Sequence, residues 1–303
     1  MVVDSDIVGQ RLDSALAQLY SDSSRSEWHD YIAAGFVLIT GRSVKPSYRL
    51  QEGDSIDINQ EAIKGQLAGV GANPPVEAPQ APPVLYIDDT VIVINKPAGM
   101  VVHGGDGVEY AGTVAACFAD KIQQDGSLRA GIVHRLDKDT SGVMILGRTQ
   151  AACENLKEQF RLRSVDKYYT ALVWGHLKHQ QARIELPLAR HHSVATQMAV
   201  SPAGKMAITE YQTEAVYKDY SLLQIRLMTG RMHQIRVHMA HLGNPIVGDI
   251  LYSKKPAPGG LRRQFLHASR LEIDIPDVGR KSFEAALSDE LQDFLQGLEH
   301  VSI

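Results

Sequence analysis

From Gly131 to Gly142 the chain reads Gly-Ile-Val-His-Arg-Leu-Asp-Lys-Asp-Thr-Ser-Gly. Two carboxylates (Asp137, Asp139), two basic side chains (Arg135, Lys138) and two hydroxyls (Thr140, Ser141) thus sit between apolar runs. A carboxylate beside cations and hydroxyls is the raw material of nucleophilic or acid/base chemistry. The same composition also makes a turn in which Asp and Thr side chains hydrogen-bond their own backbone, and on this segment alone the two readings stand level. Val133 and Leu136 favour burial. Val143-Met144-Ile145-Leu146 reads as a short buried strand bounded by Gly142 and Gly147, so the polar cluster is expected at a protein edge rather than on a loose loop.

Two further segments carry reactive side-chain types. In Lys167-Tyr168-Tyr169-Thr170-Ala171-Leu172, strand alternation puts Lys167, Tyr169 and Ala171 on one face; an aromatic ring there either stacks on a base or belongs to the core. In Thr229-Gly230-Arg231-Met232-His233-Gln234-Ile235-Arg236-Val237-His238, a strand gives way to a helix. Arg231 is expected near that helix N-terminus, where it could pair with a carboxylate or phosphate. His238 and His241 are three apart, but His233 is out of step and no acidic residue completes a ligand set, so no metal is expected. His103-Gly104-Gly105-Asp106-Gly107 lacks both the phosphate-loop lysine and dinucleotide-binding spacing. No Gly-x-Ser-x-Gly elbow occurs either, and no cofactor is implied.

The elements that must hold these groups follow from composition and periodicity. The chain has 303 residues, 44% of them hydrophobic, enough for one large domain with a smaller companion. No apolar stretch is long enough to span a membrane and no secretion signal opens the chain, which reads as cytoplasmic. Cys117 and Cys153 have no metal spacing and read as small buried helix residues. A net charge of −4 excludes bulk electrostatic binding of nucleic acid. A local patch is left, with Arg161, Arg163, Lys167, Lys254, Lys255, Arg262 and Arg263 as its candidates.

Residues 61–83, rich in Pro, Gly and Ala, read as a linker between a unit of residues 1–60 and a body of residues 84–303. The small unit orders two short helices and a small hairpin, and carries five basic against nine acidic residues. It resembles the RNA-binding module with an alpha-L motif found in a ribosomal small-subunit protein and many RNA enzymes. In the body, strands are expected around an Asp88-Asp89 turn, at 143–146, 168–174, 206–216 and 222–227, and helices at 113–120 and 150–162. Strands in runs favour an α+β body on a largely antiparallel sheet.

The order of motifs, from Asn95-Lys96-Pro97-Ala98-Gly99 through His134-Arg135-Leu136-Asp137, Lys167-Tyr168-Tyr169 and Gly230-Arg231-Met232-His233-Gln234-Ile235-Arg236 to Leu266-His267-Ala268, resembles the RluA family of RNA pseudouridine synthases. Within it, Pro187-Leu188-Ala189-Arg190-His191 and Met198-Ala199-Val200 are most similar to the branch acting on large-subunit ribosomal RNA rather than transfer RNA. The resemblance implies a cofactor-free isomerase that flips a uridine out of its stack, and a monomer with RNA as its partner. It implies Asp137 as the catalytic carboxylate, as nucleophile or as base, with Arg231 as the cation that keeps it ionised and Tyr169 stacked on the flipped uracil. Arg135 would fill the place of the extracted base. His134, Lys167, Arg236, Arg25 and Lys45 complete the candidate RNA contacts; Asp139, Thr140 and Ser141 read as the scaffold of the turn, and so, as its other reading, does His134. The chain departs from the family at Met232 (commonly Thr), at Asn244 (often His), and at Ile273-Asp274-Ile275-Pro276, which lacks the usual His-Pro. Rival readings are an RNA-binding assembly factor and a metal-dependent hydrolase built on the histidine-rich helix.

Overall fold

A computed structural model describes residues 3, 7–20, 25–33, 35–59, 80–104, 112–123, 131–194 and 196–299. Most of the expected linker therefore lies outside the described residues. The chain forms two compact units, one from Met1–Ala81 with Val101–Ile132, the other from Pro82–Met100 with Val133–Ile303. That division differs from the one read off composition by separating Val101–Ile132 from the larger body.

In the smaller unit, helices α1 (Leu12–Leu19) and α2 (Arg25–Ala33) pack with a three-stranded sheet, β1 (Val37–Ile39) flanked by β2 (Arg42–Ser43) and β3 (Ile56–Ile58). Leu12, Leu16, Trp28, Ile32, Val37, Leu50 and Ile56 form its core. A short helix, α3 (Val114–Cys117), is capped by Thr113, whose Oγ1 accepts from the Ala116 N–H at 3.2 Å.

The larger unit is built on a ten-stranded sheet. Along it run β4 (Val84–Ile87), β5 (Val91–Lys96), β6 (Ser141–Gly147), β12 (Leu266–Ile275), β7 (Asp166–Trp174), β11 (Tyr220–Leu227), β10 (Lys205–Val216), β8 (Gln181–Arg190) and β9 (Met198–Val200), with β13 (Gly279–Glu284) also on β12. Every pairing is antiparallel except β6 with β12, so the sheet is mixed and largely antiparallel. The expected α+β class holds. The Asp88-Asp89 turn joins β4 to β5, and β6 is buried along its whole length, as its unbroken apolar run requires. Helix α4 (Gln150–Leu162) takes the expected span: Thr149 caps it by accepting from Ala152 N–H at 3.2 Å, and Ala152, Cys153 and Leu156 form its buried face.

Four strands of this sheet were not expected from the sequence, among them β9, whose three half-buried residues are too few to show alternation. β8 is broken in pattern by Pro187 and half exposed, and β12 opens on Leu-His-Ala-Ser-Arg, where alternation is hidden by buried polar residues. β13, Gly-Arg-Lys-Ser-Phe-Glu, carries one buried side chain, Phe283. β6 and β12 meet through two residue pairs, Ser141 with His267 and Gly142 with Ala268. Gly142, at φ 117°, is where only glycine serves, because a Cβ there would run into the backbone of Ala268.

Helix α5 (Gln234–His241) follows β11, and α6 (Asp289–Gln296) closes the described chain with Leu291 fully buried. Among the described residues no helix is long and apolar enough to cross a membrane.

Candidate active site

The segment before β6 is a turn, as its composition allowed, with Thr140 N–H donating to the Asp137 carbonyl at 3.1 Å. The side chains do not fold back on that turn. They and the backbone are held from elsewhere, residue by residue. The Lys138 carbonyl accepts from Lys96 Nζ at 3.0 Å, and the Asp139 carbonyl from Arg263 Nη1 at 3.1 Å. Thr140 Oγ1 meets Gln264 Nε2 at 3.4 Å, and Ser141 Oγ lies 2.8 Å from His267 Nδ1. Because His267 Nε2 must donate to the Ala285 carbonyl at 3.0 Å, Nδ1 is the acceptor and Ser141 the donor. Burial pushes the His267 pKa down, in keeping with that neutral ring.

Lys96 is completely buried, and its ammonium also donates to the carbonyls of Pro97 (2.8 Å) and Met100 (2.9 Å). Three carbonyls use all three N–H donors. Burial, aided by the charge of Arg263, pulls its pKa to about 7 against the opposing pull of Asp139 and Asp137.

The Asp137 carboxylate, about one-fifth exposed, accepts through Oδ2 from Arg236 Nη1 at 3.2 Å. The rest of the Arg236 guanidinium is spent on Asp249, with Nε to Oδ2 at 2.7 Å and Nη2 to Oδ1 at 2.9 Å. Asp249 is wholly buried, and its Oδ1 also accepts the N–H groups of Leu251 (2.9 Å) and Tyr252 (3.1 Å). Burial opposes the charge of Arg236, yet Asp249 and then Asp137 raise its pKa above the ordinary value. The Tyr252 ring lies against that guanidinium, 5.2 Å away. Its hydroxyl accepts from Met198 N–H and donates to His233 Nδ1, each at 2.8 Å, so the neutral His233 ring presents Nε2–H toward Asp137 Oδ2 at 3.9 Å. Burial lowers the His233 pKa.

Asp137 pairs with Arg236 and not with Arg231, the arginine expected from the motif. Helix α5 starts at Gln234, and His233 before it is left-handed, at φ 55°. Arg231 thus precedes the helix, its Nε donating to the Met206 carbonyl at 3.4 Å, while Arg236, one turn in, reaches the carboxylate. Gln234 pins this start: Oε1 accepts from Thr229 Oγ1 and Arg231 N–H, and Nε2 donates to the Ile208 carbonyl and Thr209 Oγ1. His238, offered by the metal reading, is buried against Thr209 Oγ1 and the Leu186 carbonyl.

Tyr169 lies buried on β7, on the face it shares with Lys167 and Ala171. Burial first, then the Asp137 charge, raises its pKa well above that of a free phenol, so it stays neutral. Arg135 is exposed and free to meet a ligand. Three other candidate RNA contacts are not: Arg236 is consumed by its two carboxylates, Lys167 is buried near the Phe160 ring with its pKa lowered to about 8, and His134 stacks on Phe160 at 4.6 Å. His134 Nε2 accepts from the Ile145 N–H at 3.0 Å, and burial takes its pKa to about 3, so the ring is a structural acceptor. Arg263, assigned to a surface patch, is buried as well. In the smaller unit, Lys45 is exposed and Arg25 lies 3.5 Å from Asp13.

The residues missed by sequence reading are Asp249, Lys96, Arg263 and Gln264. For Asp249 and Lys96 the signal was a charged residue at an apolar stretch, as in Ile-Val-Gly-Asp and Ile-Asn-Lys-Pro, which is costly unless paired; Arg263 and Gln264, in Leu-Arg-Arg-Gln-Phe, carry no such signal.

Residues 90–241 match the sequence model of RNA pseudouridylate synthases, and residues 10–56 that of the S4 domain. The chain belongs to the RNA pseudouridylate synthase family. Ribosomal large subunit pseudouridine synthase D of Xanthomonas campestris is 38% identical, covering 99% of this chain and 92% of that one. Its namesake from Yersinia pestis is 36% identical (96% and 92%), and that from Escherichia coli K12 37% (91% and 86%). Among solved structures, human RNA pseudouridylate synthase domain containing 4 is 25% identical with a TM-score of 0.56, covering 73% of this chain and 95% of that one. As a pseudouridine synthase, the protein isomerises uridine to pseudouridine in RNA, and its N-terminal residues form an S4 domain of the kind the helix-hairpin order resembles.

Proposed function

We propose that Asp137 is the group at which the uridine bond is exchanged and that the RNA is that of the large ribosomal subunit. The carrying observation is the guanidinium of Arg236 bridging Asp137 to the buried Asp249. A carboxylate four-fifths buried is stabilised by a fixed cation, and a cation buried as deeply as Arg236 needs a second carboxylate. The isomerisation breaks the bond from ribose C1′ to N1, forms one from C1′ to C5, and moves the C5 proton to N1. Asp137 serves either by attacking the sugar or by removing a ribose proton. Tyr169, a neutral phenol, offers its ring to the flipped uracil, and Arg135 enters the stack to offset the few kcal/mol that unstacking costs.

Support for the ribosomal target comes from the near full-length similarity to large-subunit synthases and from the S4 domain. On this reading the protein works as a monomer in the cytoplasm, where ribosomal RNA is assembled. Mapping pseudouridine in ribosomal and transfer RNA of cells that carry only the Asp137→Asn protein tests both parts. Loss of a set of large-subunit sites is the expected result. Unchanged modification removes Asp137 from the chemistry, and loss confined to transfer RNA moves the target.

A further inference from the structure

The turn that carries Asp137 is tied to the C-terminal helix through one buried cation. Arg263, its side chain 5% exposed, spreads its guanidinium over three elements: Nη1 donates to the carbonyls of Asp139 (3.1 Å) and Leu266 (3.5 Å), Nη2 to Ser288 Oγ (2.8 Å), and Nε to Glu290 Oε2 (2.9 Å). Ser288 is the N-cap of α6, yet its hydroxyl makes no bond to the helix N–H groups and accepts from Arg263 instead. A serine at that position ordinarily satisfies the helix, so here the cap has been given up for the arginine. The helix itself is firmly seated, with Leu291 fully buried and the Phe294 ring 6.2 Å from that of Phe265.

We propose that Arg263 is a positioning residue for the isomerisation, and that Ser288 and Glu290 of the C-terminal helix set the turn of Asp137 through it. The guanidinium is a rigid planar fork. Two of its edges are fixed by α6, and a third then fixes the Asp139 carbonyl, two residues beyond the reacting carboxylate. The hydrogen bond from Thr140 N–H to the Asp137 carbonyl passes that placement back to Asp137 itself. Glu290 is nearly half exposed, so its contact with Arg263 can be weakened from the surface without opening the core.

This inference rests on Asp137 as the reacting group, and Asp137→Asn serves as the check on that reading. Turnover of RNA from cells lacking the protein is measured for full-length Glu290→Gln, Ser288→Ala, the double variant and Arg263→Lys, each with its thermal midpoint, at a temperature where all are folded. Expected is a fall in kcat of about 3-fold to 10-fold for each single α6 variant, with KM unchanged, since a displacement of about 1 Å can cost 10²-fold. The double variant should lose less than the product of the two, because both act through one guanidinium. Arg263→Lys, which keeps the charge but not the fork, should lose more than either. Wild-type kcat in Glu290→Gln and Ser288→Ala, or a change confined to KM, overturns the inference while an inactive Asp137→Asn leaves the reading of Asp137 intact. Full turnover by Asp137→Asn overturns both.

Discussion

In the S4-bearing unit the buried charge among the described residues is an acid, Asp13, and its partners Arg11 and Arg25 reach solvent, with side chains 39% and 57% exposed. In the catalytic unit the cations are buried too: beside the buried acid Asp249, the side chains of Lys96, Arg236 and Arg263 lie inside and hold carbonyls and carboxylates around one turn. A surface arginine that loses its acid is hydrated at once, so the first arrangement tolerates adjustment. A buried cation has no such exit, and each of its acceptors is fixed by the others. The larger unit thus fixes the Asp137 turn with side chains that water does not reach.

The contrast is broken most severely by Arg236→Met, which leaves Asp249 buried without its cation. A loss of about 3–5 kcal/mol is expected in urea unfolding, together with nearly complete loss of turnover in whatever fraction stays folded. Arg231→Met, by comparison, should unfold like the wild type, and an equal loss in both would erase the distinction drawn between the two arginines. A smaller effect is expected from acid. The folded pKa of His134, about 3, lies below the ordinary value of 6.5, so between those limits the unfolded chain takes up a proton that the folded one refuses. Stability should therefore fall as pH drops from about 6.5 toward 3. His134→Gln should show less of that fall when denaturant midpoints at pH 7 and pH 5 are compared. Asp13→Asn should be the mildest, about 1 kcal/mol, with kcat unchanged, because Arg11 and Arg25 simply turn to water. A loss matching that of Arg236→Met would show that the two units do not differ in this respect.

Much of this was readable from the chain itself. Periodicity located α4 to the residue and placed β5, β6, β7, β10 and β11, because each carries a regular apolar pattern of a length suited to its type. The Asp137 segment stood out through its composition. The arginine that meets it did not, because that depends on the left-handed turn at His233, a conformation that nothing in Arg-Met-His-Gln announces. His134 carried two readings, scaffold and RNA contact, for a related reason: an imidazole that accepts a backbone N–H, as it does here, and one that meets a phosphate have the same letter. Lys96, Arg263 and Gln264 were illegible as a set, since they approach the turn from segments more than 40 and more than 120 residues away in the chain.

The parallel pairing of β6 with β12 has a consequence in time. The turn ending at Ser141 is secured by residues 263–268, and those by Ala285, Ser288 and Glu290, all of which leave the ribosome later than the turn itself. Pairings of such sequence separation close late and slowly. During synthesis the carboxylate is therefore present long before it is in place, and it is held only once Ala285, Ser288 and Glu290 have emerged.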